Sequence, residues 1–162
     1  MALVRKSIFD SLQDFITEAN VLDLCAGTGV LGIEALSRGA EKLTLIDANK
    51  ESVKLIYKNL TLCNVKATVI LGRLPKVLNK PKIKSEKYDL IFLDPPYGQG
   101  QFIEEVLKMI TLNDLLKTNG IISIEHEAKC KFLLPEQLTL QKTKKYGNTT
   151  ITFLRYNVNQ CQ

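Results

Sequence analysis

Apolar positions along this chain come in short blocks rather than singly. The segments "NVLDLC", "EKLTLIDA", "ATVILG", "YDLIFLD" and "IISIEHE" are nearly continuous apolar runs, each ending in polar or turn-forming residues. Such runs predict strands buried on both faces. Between them lie segments with apolar residues at helical spacing. Helices are predicted over about residues 3 to 17, over "GVLGIEALSRG" with Gly39 closing it, and over "KESVKLIYKNLTLCN" with Val53, Ile56, Tyr57 and Leu60 on its apolar face. "QFIEEVLKMITLNDLLKTNG" predicts one or two helices ending at Gly120, and residues 76 to 87 a short helical or irregular piece with a solvated lysine-rich loop.

Buried strands alternating with helices imply a parallel sheet covered on both faces. The tail departs from that rhythm. "LTLQKTKKYG" and "NTTITFLRY" predict two strands around a Gly147-Asn148 turn with no room for a helix between them. A closing hairpin would add one antiparallel strand and bring the total to seven. With no repeat, low-complexity stretch or linker, residues 1–162 are expected to form a single domain.

Composition narrows the function classes. The chain is 45% hydrophobic and 24% charged, a globular balance that argues against disorder. Its apolar runs fall far short of the roughly 20 residues that cross a bilayer. "MALVRKSIFDSLQDF" is no signal peptide, so no membrane partner and a cytoplasmic location are expected. Cys25, Cys63, Cys130 and Cys161 are scattered, and His126 is the only histidine, so no metal centre is expected. A formal charge of +5 favours a polyanionic partner such as nucleic acid.

The chemistry begins in "LDLCAGTGVLG". Gly27, Gly29 and Gly32 form a G-x-G-x-x-G between a strand and a helix, and Asp47 follows about 20 residues beyond Gly27 at the tip of the next strand. That placement predicts a nucleoside-bearing cofactor. Asp23 chooses among such cofactors. A carboxylate just before the loop would repel the pyrophosphate of a dinucleotide. It would instead accept from the ammonium of S-adenosylmethionine.

"YDLIFLDPPYGQG" carries the second signal. An apolar strand delivers Asp94, Pro95, Pro96 and Tyr97 to the same end of the sheet, where open α/β folds bind ligands. An exocyclic amine on a nucleobase is a poor nucleophile because its lone pair is delocalised into the ring. An ionised Asp94 is purely an acceptor, and Pro95 keeps a carbonyl while lacking an N–H. Together they would hold both amine hydrogens, and the ring of Tyr97 would stack on a flipped-out base.

With these motifs in place, the chain resembles the bacterial RsmD-type 16S ribosomal RNA (guanine-N2)-methyltransferases over nearly its whole length. "VRKSIFDSL", "VLDLCAGTGVLGIEALSRGA", "YDLIFLDPPYGQG" and "KKYGNTTITFLRY" are similar to that family's opening helix, cofactor loop, catalytic strand and terminal hairpin. The resemblance implies an α/β, Rossmann-like class I S-adenosylmethionine-dependent methyltransferase fold with seven strands. It places cofactor contacts on Asp23, Ala26, Gly27, Gly29 and Asp47, and catalysis on Asp94, Pro95, Pro96 and Tyr97. The implied partner of this monomeric enzyme is 16S ribosomal RNA in an assembled or assembling small subunit.

The sequence departs from the family at three places. The family usually carries an N-terminal arm with a hairpin and basic residues before the first helix, whereas Met1 here stands almost inside that helix; a reduced lineage or a truncated start is expected, with weaker affinity for free RNA. Arg73 occupies a cofactor-contacting position where the family often has an acid. A guanidinium has no acceptor, so a backbone carbonyl would have to meet the adenine amine. Cys25 replaces a common aromatic.

Rival readings share parts of this pattern. A DNA adenine-N6 methyltransferase would use the same tetrad but usually carries a separate recognition region. A protein-glutamine methyltransferase typically begins the tetrad with Asn. A non-catalytic RNA-binding or assembly factor could retain the fold, and an NAD oxidoreductase is disfavoured by Asp23. Glu125 and His126 receive no assigned role, and Lys142, Lys144 and Lys145 are candidates for phosphate contact.

Overall fold

A computed structural model describes residues 1–158. In chain order its elements are α1 (Ala2–Ile16), β1 (Asn20–Leu24), α2 (Val30–Ser37), β2 (Lys42–Asp47), α3 (Lys50–Leu62) and β3 (Thr68–Leu71). A 3-10 turn (Lys76–Asn79) follows, then α4 (Pro81–Lys84), β4 (Tyr88–Leu93), α5 (Gly100–Leu112), β5 (Leu116–Glu127), β6 (Leu138–Tyr146) and β7 (Thr149–Tyr156).

The strands form one sheet in the order β3-β2-β1-β4-β5-β7-β6. β1 to β5 are mutually parallel, and β7 alone runs against the rest, between β5 and β6. This is the seven-stranded, mostly parallel arrangement expected from the sequence. The order reverses between β1 and β4, which makes that crevice the switch point where ligands bind.

Alternation along each strand divides the core into two layers. Leu22, Leu24, Ile91, Leu93, Ile122 and Ile124 pack towards α4 and α5. Val21, Leu45, Leu90, Phe92 and Ile121 pack towards α1, α2 and α3, where Phe9 meets Phe92 edge-on at 5.8 Å. The parity of β1, β4 and β5 therefore puts Asp23, Asp94 and Glu125 on this second face, at or near the carboxyl ends of three adjacent strands. α3 begins where Asn49 caps it, its side chain accepting from the amides of Glu51 and Ser52.

Two expectations need correction. The long segment after the tetrad is not helical to Gly120: α5 stops at Leu112, and Leu116–Asn119 already belong to β5. The strand pairing shifts between Tyr88 and Leu90, and Gly120 sits in that irregularity. A Cβ on Gly120 would come within 2.6 Å of Leu116 and 2.9 Å of the Lys117 carbonyl, so this glycine serves a strand irregularity rather than a helix end. Tyr57 is exposed, not core; α3 buries Ile56 and Leu60. The stretch from 76 to 87 forms the short helical pieces expected, with its lysines exposed and Val77, Leu78 and Ile83 anchored in the core.

Candidate active site

The glycine loop leaves β1 in left-handed backbone conformations: Cys25, Gly27 and Gly29 have φ of 58°, 58° and 77°. At Gly27 a Cβ would meet nothing within 4 Å, so the backbone there is open to an approaching ligand. Gly32 plays a different part. A Cβ there would lie 2.7 Å from Leu43 and 3.1 Å from the Asp23 carboxylate, so its absence lets α2 press onto β2. Ala26 shapes the turn through its backbone, donating to the Ile46 carbonyl at 3.0 Å and accepting from Gly29 at 2.7 Å.

Two acids hold this loop from below and from the side. Asp23 is 1% exposed, and its Oδ2 accepts from the Gly32 amide at 3.0 Å. Part of its role is thus internal, tying the first turn of α2 to β1. Asp47 is half-buried at the tip of β2. Its Oδ2 accepts from Gly27 at 2.8 Å and its Oδ1 from Asn49 at 2.9 Å.

The tetrad lies alongside. The Asp94 amide points to the Leu24 carbonyl at 3.5 Å, which brings the end of β4 against the start of the glycine loop. Asp94 is half-buried, Pro95 is buried and Pro96 is exposed. Tyr97 is 58% exposed, leaving its ring free to stack.

Carboxyl groups crowd this edge of the sheet, and burial governs their protonation. Burial, reinforced by Glu125, pushes the Asp94 carboxyl up to about 7. Burial also pushes Asp23 up to about 7, against the lowering effect of the Gly32 amide and with help from Asp94 and Asp47. Burial and the same three aspartates push the Cys25 thiol up to about 12, which keeps it a neutral, unreactive thiol. Glu125 is also raised by burial, with the Met1 ammonium acting in the opposite sense. Such an edge repels phosphate and welcomes a cation. Among the described residues no group of three or more His, Cys, Asp and Glu is arranged to hold a metal.

A pocket of about 290 Å³ opens beside the loop, lined by residues that include Cys25, Asp47, Arg73, Leu74, Pro96 and Phe102. Arg73 is exposed on its wall. Asp23 and Asp94 do not line this pocket. Leu74, just past β3, and Phe102, in the first turn of α5, escaped the sequence reading, because no local motif marks them.

The remaining candidates sort by contact. His126 is held structurally: its Nδ1 lies 2.8 Å from the Glu127 carbonyl, its Nε2 lies 2.8 Å from Thr152 Oγ1, and its ring meets Phe132 edge-on. Lys144 turns inward to Ser7 at 3.5 Å, leaving Lys142 and Lys145 exposed on the edge strand. Cys161 lies outside the described residues.

Comparison with known proteins places the fold and the family. Residues 1–155 match the family model described as Conserved hypothetical protein 95. The chain is 36% identical over 146 residues to Ribosomal RNA small subunit methyltransferase D of Buchnera aphidicola (subsp. Acyrthosiphon pisum), covering 87% of this chain and 73% of the relative. It is 34% identical over 146 residues to the protein of the same name from Escherichia coli K12, covering 89% and 72%. Among solved structures, a putative methyltransferase from Escherichia coli, yhhF, superposes with a TM-score of 0.87 at 28% identity, covering 97% of this chain and 86% of that one. The chain belongs to the Conserved hypothetical protein 95 family, that of the RsmD ribosomal RNA methyltransferases.

Proposed function

We propose that this protein methylates the exocyclic N2 amine of a guanine in the 16S ribosomal RNA of the small subunit, using S-adenosylmethionine. The observation that carries the proposal is the Asp94 amide set against the Leu24 carbonyl, which seats an amine-binding tetrad beside a glycine loop. The relatives named for methylation of small-subunit ribosomal RNA support the substrate class.

The residues present fit this cofactor. S-adenosylmethionine supplies, when bound, an electrophilic methyl group on a sulfonium. Gly27 lets the backbone approach it, Asp47 offers remaining lone pairs to ribose hydroxyls, and Leu74 and Phe102 give the adenine an apolar wall. The anionic edge made by Asp23, Asp47 and Asp94 favours its positive charges over the pyrophosphate of a dinucleotide.

The protein's part in transfer is to hold the amine. Asp94 and the Pro95 carbonyl accept from the two N2 hydrogens, which localises the nitrogen lone pair. Stacking on Tyr97 fixes the base plane and is worth about 1–3 kcal/mol. As the N–C bond forms, the methyl–sulfur bond would break to leave a neutral thioether, and the nitrogen must lose a proton. Asp94, poised at about 7, is matched to take it and pass it to solvent.

The test is transfer of radiolabelled methyl groups to small subunits from cells lacking this activity, followed by mapping of the modified nucleotide. Label on guanine N2 supports the reading. Label on an adenine, or on a ribosomal protein alone, sinks it.

A further inference from the structure

Glu125 is a buried carboxylate that the transfer chemistry above does not use. Leu93 pairs with Ile124 across β4 and β5, so the next residues, Asp94 and Glu125, stand side by side at the strand tips. Strand parity puts both on the same face of the sheet, the one shared with Ile121 and Ile151. Glu125 is only 8% exposed. Neither a hydrogen bond nor a salt bridge from the described residues engages its carboxylate, whereas the more deeply buried Asp23 is tied to Gly32. Its oxygens still reach solvent and the Met1 ammonium acts on them through space, so this acid stands open to a donor brought by a ligand.

Guanine presents such a donor. Its Watson–Crick edge carries the N2 amine and, next to it, the N1–H. Adenine has a bare acceptor at N1. If Asp94 and Pro95 hold the N2 amine, the neighbouring N1–H falls on the Glu125 side of the site. We infer that Glu125 is a specificity-determining residue, accepting from guanine N1–H and so selecting guanine among bases that carry an exocyclic amine. This inference rests on the reading of the site as a guanine-N2 methyltransferase and adds the residue that recognises the base.

The probe is 2-aminopurine, which keeps the reactive 2-amine but has an unprotonated N1. Small subunits are reconstituted around 16S ribosomal RNA ligated to carry guanine or 2-aminopurine at the mapped target, and kcat/KM is measured on both. The wild-type protein should favour guanine by at least about tenfold, because two acceptors would face each other with 2-aminopurine. Glu125→Gln is nearly isosteric, and its amide can either accept from N1–H or donate to bare N1. The guanine preference should therefore shrink to within about threefold, with cofactor-induced thermal stabilisation unchanged. Loss of the guanine O6 would lower both proteins alike, so the change in ratio isolates Glu125.

A ratio that stays the same in Glu125→Gln, with both rates falling together, would assign the residue a structural role and overturn the inference. Equal rates of the wild-type protein on the two bases would overturn it without any variant. A wild-type protein that places no methyl on guanine N2 refutes the parent reading, and this inference falls with it.

Discussion

The amide of Gly27 donates to Oδ2 of Asp47 at 2.8 Å, so the tip of β2 holds the loop that follows β1. The same carboxylate accepts from Asn49 through its other oxygen. One side chain thus orders two loops around the pocket. Asp47→Asn must turn an NH2 towards one of those amides, losing a charge-assisted bond worth about 1.5–3 kcal/mol. Affinity for S-adenosylhomocysteine should fall about ten- to hundredfold. Isothermal titration calorimetry measures it, and unchanged affinity would remove Asp47 from the cofactor site.

Gly32→Ala probes the contact between α2 and β2. The added methyl meets Leu43, which is buried, and the Asp23 carboxylate, so the helix must shift. Overpacking of this kind costs about 1–3 kcal/mol. The melting temperature should drop by several degrees, and the glycine loop should lose cofactor affinity as it moves. A melting curve superimposable on wild type would mean the site has slack.

The tetrad separates chemistry from binding. Asp94→Ala should abolish methyl transfer while leaving cofactor affinity within a few-fold of wild type, since the residue serves the amine. Tyr97→Phe should retain most activity because stacking needs only the ring, and Tyr97→Ala should lose about tenfold or more. Single-turnover rates on small subunits decide both. A fully active Asp94→Ala protein would falsify the clamp.

Proton linkage gives a signed prediction. Asp23 and Asp94 sit at about 7 when folded and near 3.8 in ordinary surroundings, so the folded state holds extra protons between those values. Their contribution to stability is full below about pH 4 and lost as pH rises through about 7. A cationic methyl donor favours the ionised forms, so its affinity should rise with pH through that range and its binding should release protons. Calorimetry in buffers of different ionisation enthalpy reads the proton count directly. Uptake of protons, or no dependence on pH, would contradict the anionic edge.

The RNA substrate can be tested by its context. A net charge of +5 supplies only modest phosphate affinity, and Lys144 is turned inward to Ser7 rather than to solvent. Assembled or assembling small subunits should be methylated faster than protein-free 16S ribosomal RNA at matched concentration and near-physiological salt. Equal initial rates would show that this surface recognises free RNA unaided.

Much of this molecule is legible along the chain because its signals are local. Apolar runs of strand length between helical segments determine a parallel sheet, since a strand buried on both faces has no polar side to show. The glycines around Gly27, the acid at Asp47 and the break at Asp94-Pro95-Pro96-Tyr97 mark the strand tips for the same reason: each needs a particular backbone or charge at one position. Tertiary structure decided what depends on neighbours distant in sequence. Gly120 reads as a helix end but serves the irregularity between β4 and β5, because Leu116 pairs with Tyr88 and pulls the preceding residues out of α5. Tyr57 has helical spacing yet faces solvent, because the space over β2 is filled by Ile56 and Leu60. Asp23 is legible as the acid before the glycine loop, but only burial, helped by Asp94 and Asp47 and opposed by the Gly32 amide, raises it to about 7. Glu125 had no legible role at all, since its place beside Asp94 comes from strand register, which no local pattern encodes.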